Sequence, residues 1–315
     1  MTVLVNTIVT LGMFYVVPAG LRLIDPAGLR RVARLWPLPA AAGAVSLWLP
    51  RGAVATALAA LYAAACLALA ARAPARLLRG RSLPRPPEIA VATALVSPSI
   101  AGTALVAERA GIRLFGFDLD VLALTVPHFH FAGFTAALVA GLVCRAVGTG
   151  SPDRLSRGAA YSVPAGTALV LLGYFVDDWA ELVGAVVLTA GMWAVALPTW
   201  REIRPGARDR TTRALLSTSA VVLVATMLLA LWWAAGEATD IVHPTLTWMA
   251  ATHGLGNALG FALCSLLAWH RLSAETAPSG GPGEGPDTGP VVHRNVRSGI
   301  HPDTHPTAHF EEFSP

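Results

Sequence analysis

Apolar residues run along this chain in nine stretches, at about 2 to 24, 35 to 50, 52 to 73, 88 to 110, 120 to 147, 158 to 176, 179 to 200, 211 to 237 and 244 to 271, with short polar links between them. A bilayer core of about 30 Å takes about 20 apolar residues in helical form. In lipid every backbone polar group must be satisfied internally, which leaves helices and closed barrels as the only spanning structures. The pattern therefore predicts an all-α, polytopic transmembrane helix bundle of about nine spans over residues 1–271. The second stretch is the shortest, with Pro37 and Pro39 in its first turn, a place where proline is tolerated; as a re-entrant segment it would lower the count to eight.

The basic residues test that count, because cytoplasmic loops collect positive charge. All 23 are arginines. Arg22, Arg30, Arg31 and Arg34 belong to the first loop, Arg72, Arg76, Arg79, Arg81 and Arg85 to the third, Arg145, Arg154 and Arg157 to the fifth, and Arg201, Arg204, Arg208, Arg210 and Arg213 to the seventh. The even loops hold only Arg51, Arg109 and Arg113, beside Glu108, Asp118, Asp120, Asp177, Asp178, Glu181, Glu237 and Asp240. This alternation calls for nine spans, an outside N-terminus and a cytoplasmic C-terminus. Indoles favour the headgroup level, and eight of the nine tryptophans fall near span ends, Trp193 being the exception. With no basic stretch ahead of it, the first apolar run reads as a retained span and not a signal peptide.

Composition agrees: 54% of residues are apolar, 13% are charged, and the mean hydropathy of +0.57 is wrong for an ordinary soluble domain. The net charge of +4 follows from the cytoplasmic loops. It implies attraction to anionic lipid and no nucleic-acid partner. From residue 272 to 315 the chain turns rich in Gly, Pro and Ser, as a disordered cytoplasmic tail would. Pro302 and Pro306 deny His301, His305 and His309 a regular helix. Cys66, Cys144 and Cys264 lie in apolar spans and imply no disulfide framework. The chain holds no internal repeat, nucleotide loop, zinc-protease motif or nucleophile elbow.

Candidate chemistry comes down to three histidines. His128 and His130 stand in TVPHFHFAGF and His253 in WMAATHGLGNALGF. At about 1.5 Å per residue, all three lie roughly 12 to 15 Å below the outer surface. Imidazoles are costly there and tend to line polar pathways or hold cofactors. Small residues spaced by about four, His130, Gly133, Ala137, Gly141 and Cys144 in span five and His253, Gly256, Gly260 and Cys264 in span nine, suggest that the two helices meet along this seam. His130 would then face His253, with Asn257 one turn on. Residues two apart on a helix point about 200° apart. Either Pro127 loosens the turn or His128 and His130 address different partners. Asp177, Asp178, Glu237 and Asp240 would form an outer vestibule attracting cations, or would simply be solvated loop acids.

The pairing of PHFHFAGF at 127–134 with THGLGNALGF at 252–261 resembles the YndJ-like family of bacterial multi-span membrane proteins, over roughly residues 120–271. Carried over, the motif comprises His128, Phe129, His130, Phe131, Ala132, Gly133 and Phe134, then His253, Gly254, Asn257 and Gly260. The resemblance implies a multi-pass protein of the cell membrane, of a kind sometimes labelled as transporters. The HFHF string is also similar to the HFHY of haem-copper oxidases, where two such histidines ligate different haems. The chain has neither the vicinal His-His pair nor the copper motif that oxygen reduction needs.

Three readings follow. A transporter would bind a small solute, proton or cation at His128, His130, His253 and Asn257. A haem or transition-metal protein for electron transfer or sensing would ligate through the same histidines. A membrane scaffold without catalytic activity would use them only to join helices. The absence of a complete redox motif favours the first, with the lipid bilayer as the protein's surroundings.

Overall fold

A computed structural model describes residues 2–78, 85–147 and 154–276, and among these every regular element is helical. Nine helices occupy the nine predicted stretches: α1 Thr2–Ile24, α2 Pro37–Trp48, α3 Ala53–Leu77, α4 Pro86–Ala110, α5 Leu119–Val147, α6 Arg154–Gly173, α7 Asp178–Gly206, α8 Arg210–Thr239 and α9 Leu246–Glu275. Seven of them are long and apolar enough to cross a membrane, so the expected nine spans reduce to seven by that measure. The other two fall short for different reasons. With 12 residues, α2 rises only about 18 Å, although the short helix Arg30–Leu35 leads into it through helical Trp36. The 20 residues of α6 begin with Arg154, Ser156 and Arg157, which dilute its hydropathy. The last helical segment, Cys264–Thr276, continues past the expected boundary at 271. The remainder of the expected tail, with His301, His305 and His309, lies outside the described residues.

The interior is held by polar groups that satisfy one another across helices, as hydrocarbon demands. At Gly12–Val16, α1 widens into a π-helical turn. There Val17 donates to the Gly12 carbonyl, and the residue five beyond Met13 is Pro18, which has no N–H. The Met13 carbonyl is thus left without a helical donor. The indole of Trp36, 2% exposed, supplies one at 3.0 Å. Asn6 donates likewise to the Leu47 carbonyl (3.0 Å), and the Arg109 guanidinium reaches the Ser46 and Leu49 carbonyls (each 3.2 Å). Arg109 thereby caps the C-terminus of α2, where unpaired carbonyls concentrate negative charge.

Glycines allow the closest helix approaches. A Cβ on Gly166 would lie 2.5 Å from the Leu188 nitrogen, and one on Gly184 2.5 Å from the Val170 nitrogen, so α6 and α7 pack backbone to backbone. The small-residue stripes of α5 and α9 do not form the expected common seam. Gly133 and Gly141 instead seat α5 on α4, against Ser97 and against Pro87 and Ala90, while Gly256 and Gly260 seat α9 on α8, against Thr226 and Val222. Each stripe serves the helix next to it in sequence, which a short connection brings back alongside. The π-helical segments of α5 and α9 still touch.

At the opposite end of α9, Arg271 donates to Asp209 (2.7 Å), which also accepts from the Thr212 backbone at the start of α8 (3.0 Å). The Arg271 hydrogen bond, and then that backbone bond, bring the Asp209 carboxyl down to about 2. A carboxyl depressed in the folded state adds stability above its unfolded value of about 4 and loses it as the pH falls through the folded value. The melting temperature of Asp209→Asn in detergent should lie below wild type at neutral pH, and the two should converge as the pH drops from about 4 toward 2. A second expectation concerns the glycine seam. Gly184→Leu meets backbone and should cost at least about 1 to 3 kcal/mol in reversible unfolding, whereas Gly158→Ala, with open space around it, should not destabilise.

Candidate functional site

His130 has no exposed surface, so both ring nitrogens must find partners within the protein. Nδ1 lies 2.7 Å from the Val126 carbonyl, which only accepts, so Nδ1 carries the proton. Nε2 is then the acceptor for the Tyr62 hydroxyl at 2.5 Å. Cys66, buried as well, lies one turn along α3 from Tyr62. The two rings lie nearly parallel, 5.9 Å apart at 18°, with Trp36 edge-on to Tyr62 at 6.0 Å. Gly12 of α1 and Gly43 of α2 make room for the pair: a Cβ on Gly12 would stand 3.1 Å from His130 Cβ, and one on Gly43 2.9 Å from Tyr62 Cγ.

His253 is part-buried and equally committed. Its Nδ1 donates to the Thr226 carbonyl at 2.8 Å and its Nε2 accepts from Asn257 Nδ2 at 3.1 Å. Asn257 Oδ1 accepts from the Thr226 hydroxyl at 3.0 Å, which closes a ring of three residues between α8 and α9, with Thr226 taking part through both its carbonyl and its hydroxyl. Sequence spacing had placed His130 opposite His253. The structure gives them separate partners, because the π-helical turn over Phe129–Thr135 follows directly on His128 and carries His130 toward α1 and α3.

His128 is the histidine near His253, close enough for the charges of two protonated rings to repel. It is half-buried, and its ring meets Phe129 edge-on at 5.7 Å. Among the described residues its nitrogens make no hydrogen bond. Of the three, this is the imidazole with a lone pair to offer.

The four outer acids divide. Asp177 spends its carboxylate on the Ala180 backbone (2.7 Å) as the N-cap of α7, and Asp240 is an exposed left-handed residue ending α8. Glu237 pairs with His243 at 3.3 Å, and it and Asp178 lie within electrostatic range of Glu181. Among the described residues none of them pairs with one of the three imidazoles. His270, beside Arg271, donates to the Ala19 carbonyl at 3.1 Å and ties α9 to α1.

Sequence reasoning passed over Tyr62 and Thr226, and took Glu108 for a loop acid. A lone hydroxyl in ALAALYAAACLALA was the available signal for Tyr62, since a phenol in an alanine-rich span needs an acceptor or donor elsewhere. Glu108, 2% exposed, pairs with Arg51 (2.8 Å) and with Arg109, and so is a structural anchor where charge counting alone had placed a loop acid.

A described chain of helices alone, seven of them fit to cross a bilayer, with polar groups paired inside the bundle, defines a multi-pass α-helical membrane protein. Residues 7–261 match the family described as YndJ-like protein, and the chain belongs to that family. It is similar to the uncharacterized membrane protein YndJ of Bacillus subtilis (strain 168), at 23% identity over 163 residues, which cover 52% of this chain and 29% of that relative. The match thus spans under a third of the relative's length. No solved structure matches the chain.

Donor chemistry bears on the haem or metal reading. His130 and His253 each have one nitrogen protonated and the other accepting a hydrogen bond, so joint ligation with His128 would break two satisfied networks. Among the described residues no group of three or more His, Cys, Asp or Glu stands in a metal-holding arrangement. The three histidines do not fit as a shared ligand set. Removing the hydroxyl in Tyr62→Phe leaves His130 Nε2 buried and unpaired, and should cost about 1 to 3 kcal/mol by thermal or denaturant unfolding in detergent.

Proposed function

We propose that this protein is a transporter whose mid-bundle polar site is centred on His128, with His253 and Asn257 beside it. One observation carries the reading: His128 is a half-buried imidazole without a hydrogen bond among the described residues, near His253, whereas the other two histidines are fully engaged. An unpaired imidazole in hydrocarbon is costly, and a passing proton, cation or hydrogen-bonding solute would relieve that cost. The pieces around it suit the role. The π-helical segments in α5 and α9 are of a kind frequent at functional sites, and His253, held by Asn257 and Thr226, is a neighbour with fixed orientation. His130 belongs to the frame that holds α5 in place. The expected vestibule of Asp177, Asp178, Glu237 and Asp240 narrows in this proposal to Asp178 and Glu237, the two that group with Glu181.

The test is flux through reconstituted protein. Liposomes loaded with a pH-sensitive dye, or carrying a potential-sensitive dye under a potassium gradient, should show protein-dependent proton or cation movement. His128→Ala should lower it at least tenfold while the circular dichroism stays that of wild type. His253→Gln, which keeps a hydrogen-bonding side chain, should lower it less. Equal flux in wild type and His128→Ala would sink the proposal.

A further inference from the structure

Between α3, α4 and α6 runs an open groove of about 460 Å³, a volume in the range of small-molecule sites. Its wall on α4 is the stripe Ile89, Thr93, Val96 and Ile100, spaced by three and four so that it stays on one helix face. Ala73 and Leu77 of α3 and Ala168 of α6 form the other sides, and Phe129 of α5 forms part of the lining. From Ile89 to Ile100 the helix rises about 16 Å. That is about half of a hydrocarbon core of about 30 Å, the depth of one leaflet.

The stripe begins one residue from Glu88. Its carboxylate is shared between Arg76 Nε at 2.7 Å and Arg145 Nη2 at 2.8 Å. Arg72 and Arg85, both exposed, flank the same rim, one beside Ala73 and the other at the N-cap of α4. Neither makes an ion pair among the described residues. Arg72, beside Ala73 of the wall, and Arg85, one turn before Ile89, thus add two exposed guanidiniums to the Arg76, Glu88 and Arg145 cluster near one end of an apolar groove one leaflet deep.

We infer that this groove is a binding site for an anionic phospholipid, with one acyl chain along α4 and the phosphate on Arg72 and Arg85. An apolar groove alone would accept any lipid chain. The charge excess at its rim selects the headgroup, because a guanidinium forms charge-assisted hydrogen bonds to phosphate oxygens. Juxtamembrane basic clusters attract anionic lipid for the same reason. A zwitterionic headgroup brings its own ammonium to the same arginines and forfeits the gain. Arg76 and Arg145, engaged by Glu88, hold the rim together, while Arg72 and Arg85 are free to turn to the ligand. The site is independent of whether His128 carries a solute.

The experiment is thermal unfolding of the full chain in detergent, with phosphatidylglycerol or phosphatidylcholine added at equal mole fraction, and mass spectrometry of the lipid kept through purification. Phosphatidylglycerol should raise the melting temperature more than phosphatidylcholine and remain bound at about one per chain. In Arg72→Gln/Arg85→Gln the two lipids should become equivalent, with retained phosphatidylglycerol down several-fold. Ala168→Trp, which fills the groove and leaves the arginines in place, should reduce retention as well. Inorganic phosphate alone should produce no shift; a shift matching that of phosphatidylglycerol would overturn the lipid assignment in favour of an anion site. Equal stabilisation of the wild-type chain by both lipids would overturn the proposal whatever the variants do.

Discussion

Hydrocarbon offers a polar group no water, and the bundle is arranged around that constraint. His130 shows it most plainly. An imidazole with no exposed surface needs a donor and an acceptor at fixed positions, and these come from Tyr62 on α3 and the Val126 carbonyl on α5. To bring the Tyr62 hydroxyl within 2.5 Å of His130 Nε2, α1 and α2 must present Gly12 and Gly43 at the same place. One satisfied side chain thus fixes the relative positions of four helices. The π-helical turn in α1 obeys the same rule, since it and Pro18 orphan the Met13 carbonyl and the Trp36 indole then repairs the loss.

Charges are confined to helix ends, where water and headgroups can share them. Glu108 with Arg51 and Arg109, Glu88 with Arg76 and Arg145, and Asp209 with Arg271 each join helices at a terminus. Exposed pairs of this kind contribute little alone. Glu108, at 2% exposure, is different: leaving it without its arginines would strand a buried charge. These clusters fasten the ends while the middle relies on neutral hydrogen bonds and close glycine contacts.

Against this background the uncommitted groups stand out. His128 is the one of three membrane histidines without a hydrogen bond among the described residues. Arg72 and Arg85, near one end of an apolar groove, are guanidiniums without a carboxylate partner among the described residues. Both are places where a ligand would find an open hydrogen-bonding group, and Phe129, directly after His128, belongs to the groove lining.

By itself, the sequence determined the class and most of the helices. Apolar runs of about 20 residues mean spanning helices in any fold, because the backbone must satisfy itself in lipid, and all nine runs are helical. The motifs at 127–134 and 252–261 also marked the family and the histidines. Tertiary structure alone decided the pairing. Spacing by four residues shows that a face is small enough to pack closely but not against which helix, so the stripes of α5 and α9 read as one seam when they lie on α4 and α8. Likewise, a π-helical turn shifts the facing of every residue after it by a fraction of a turn, and no periodicity argument based on 3.6 residues anticipates that. This is why Tyr62, 68 residues from His130 in sequence, became its partner, and why His128 was left open beside His253.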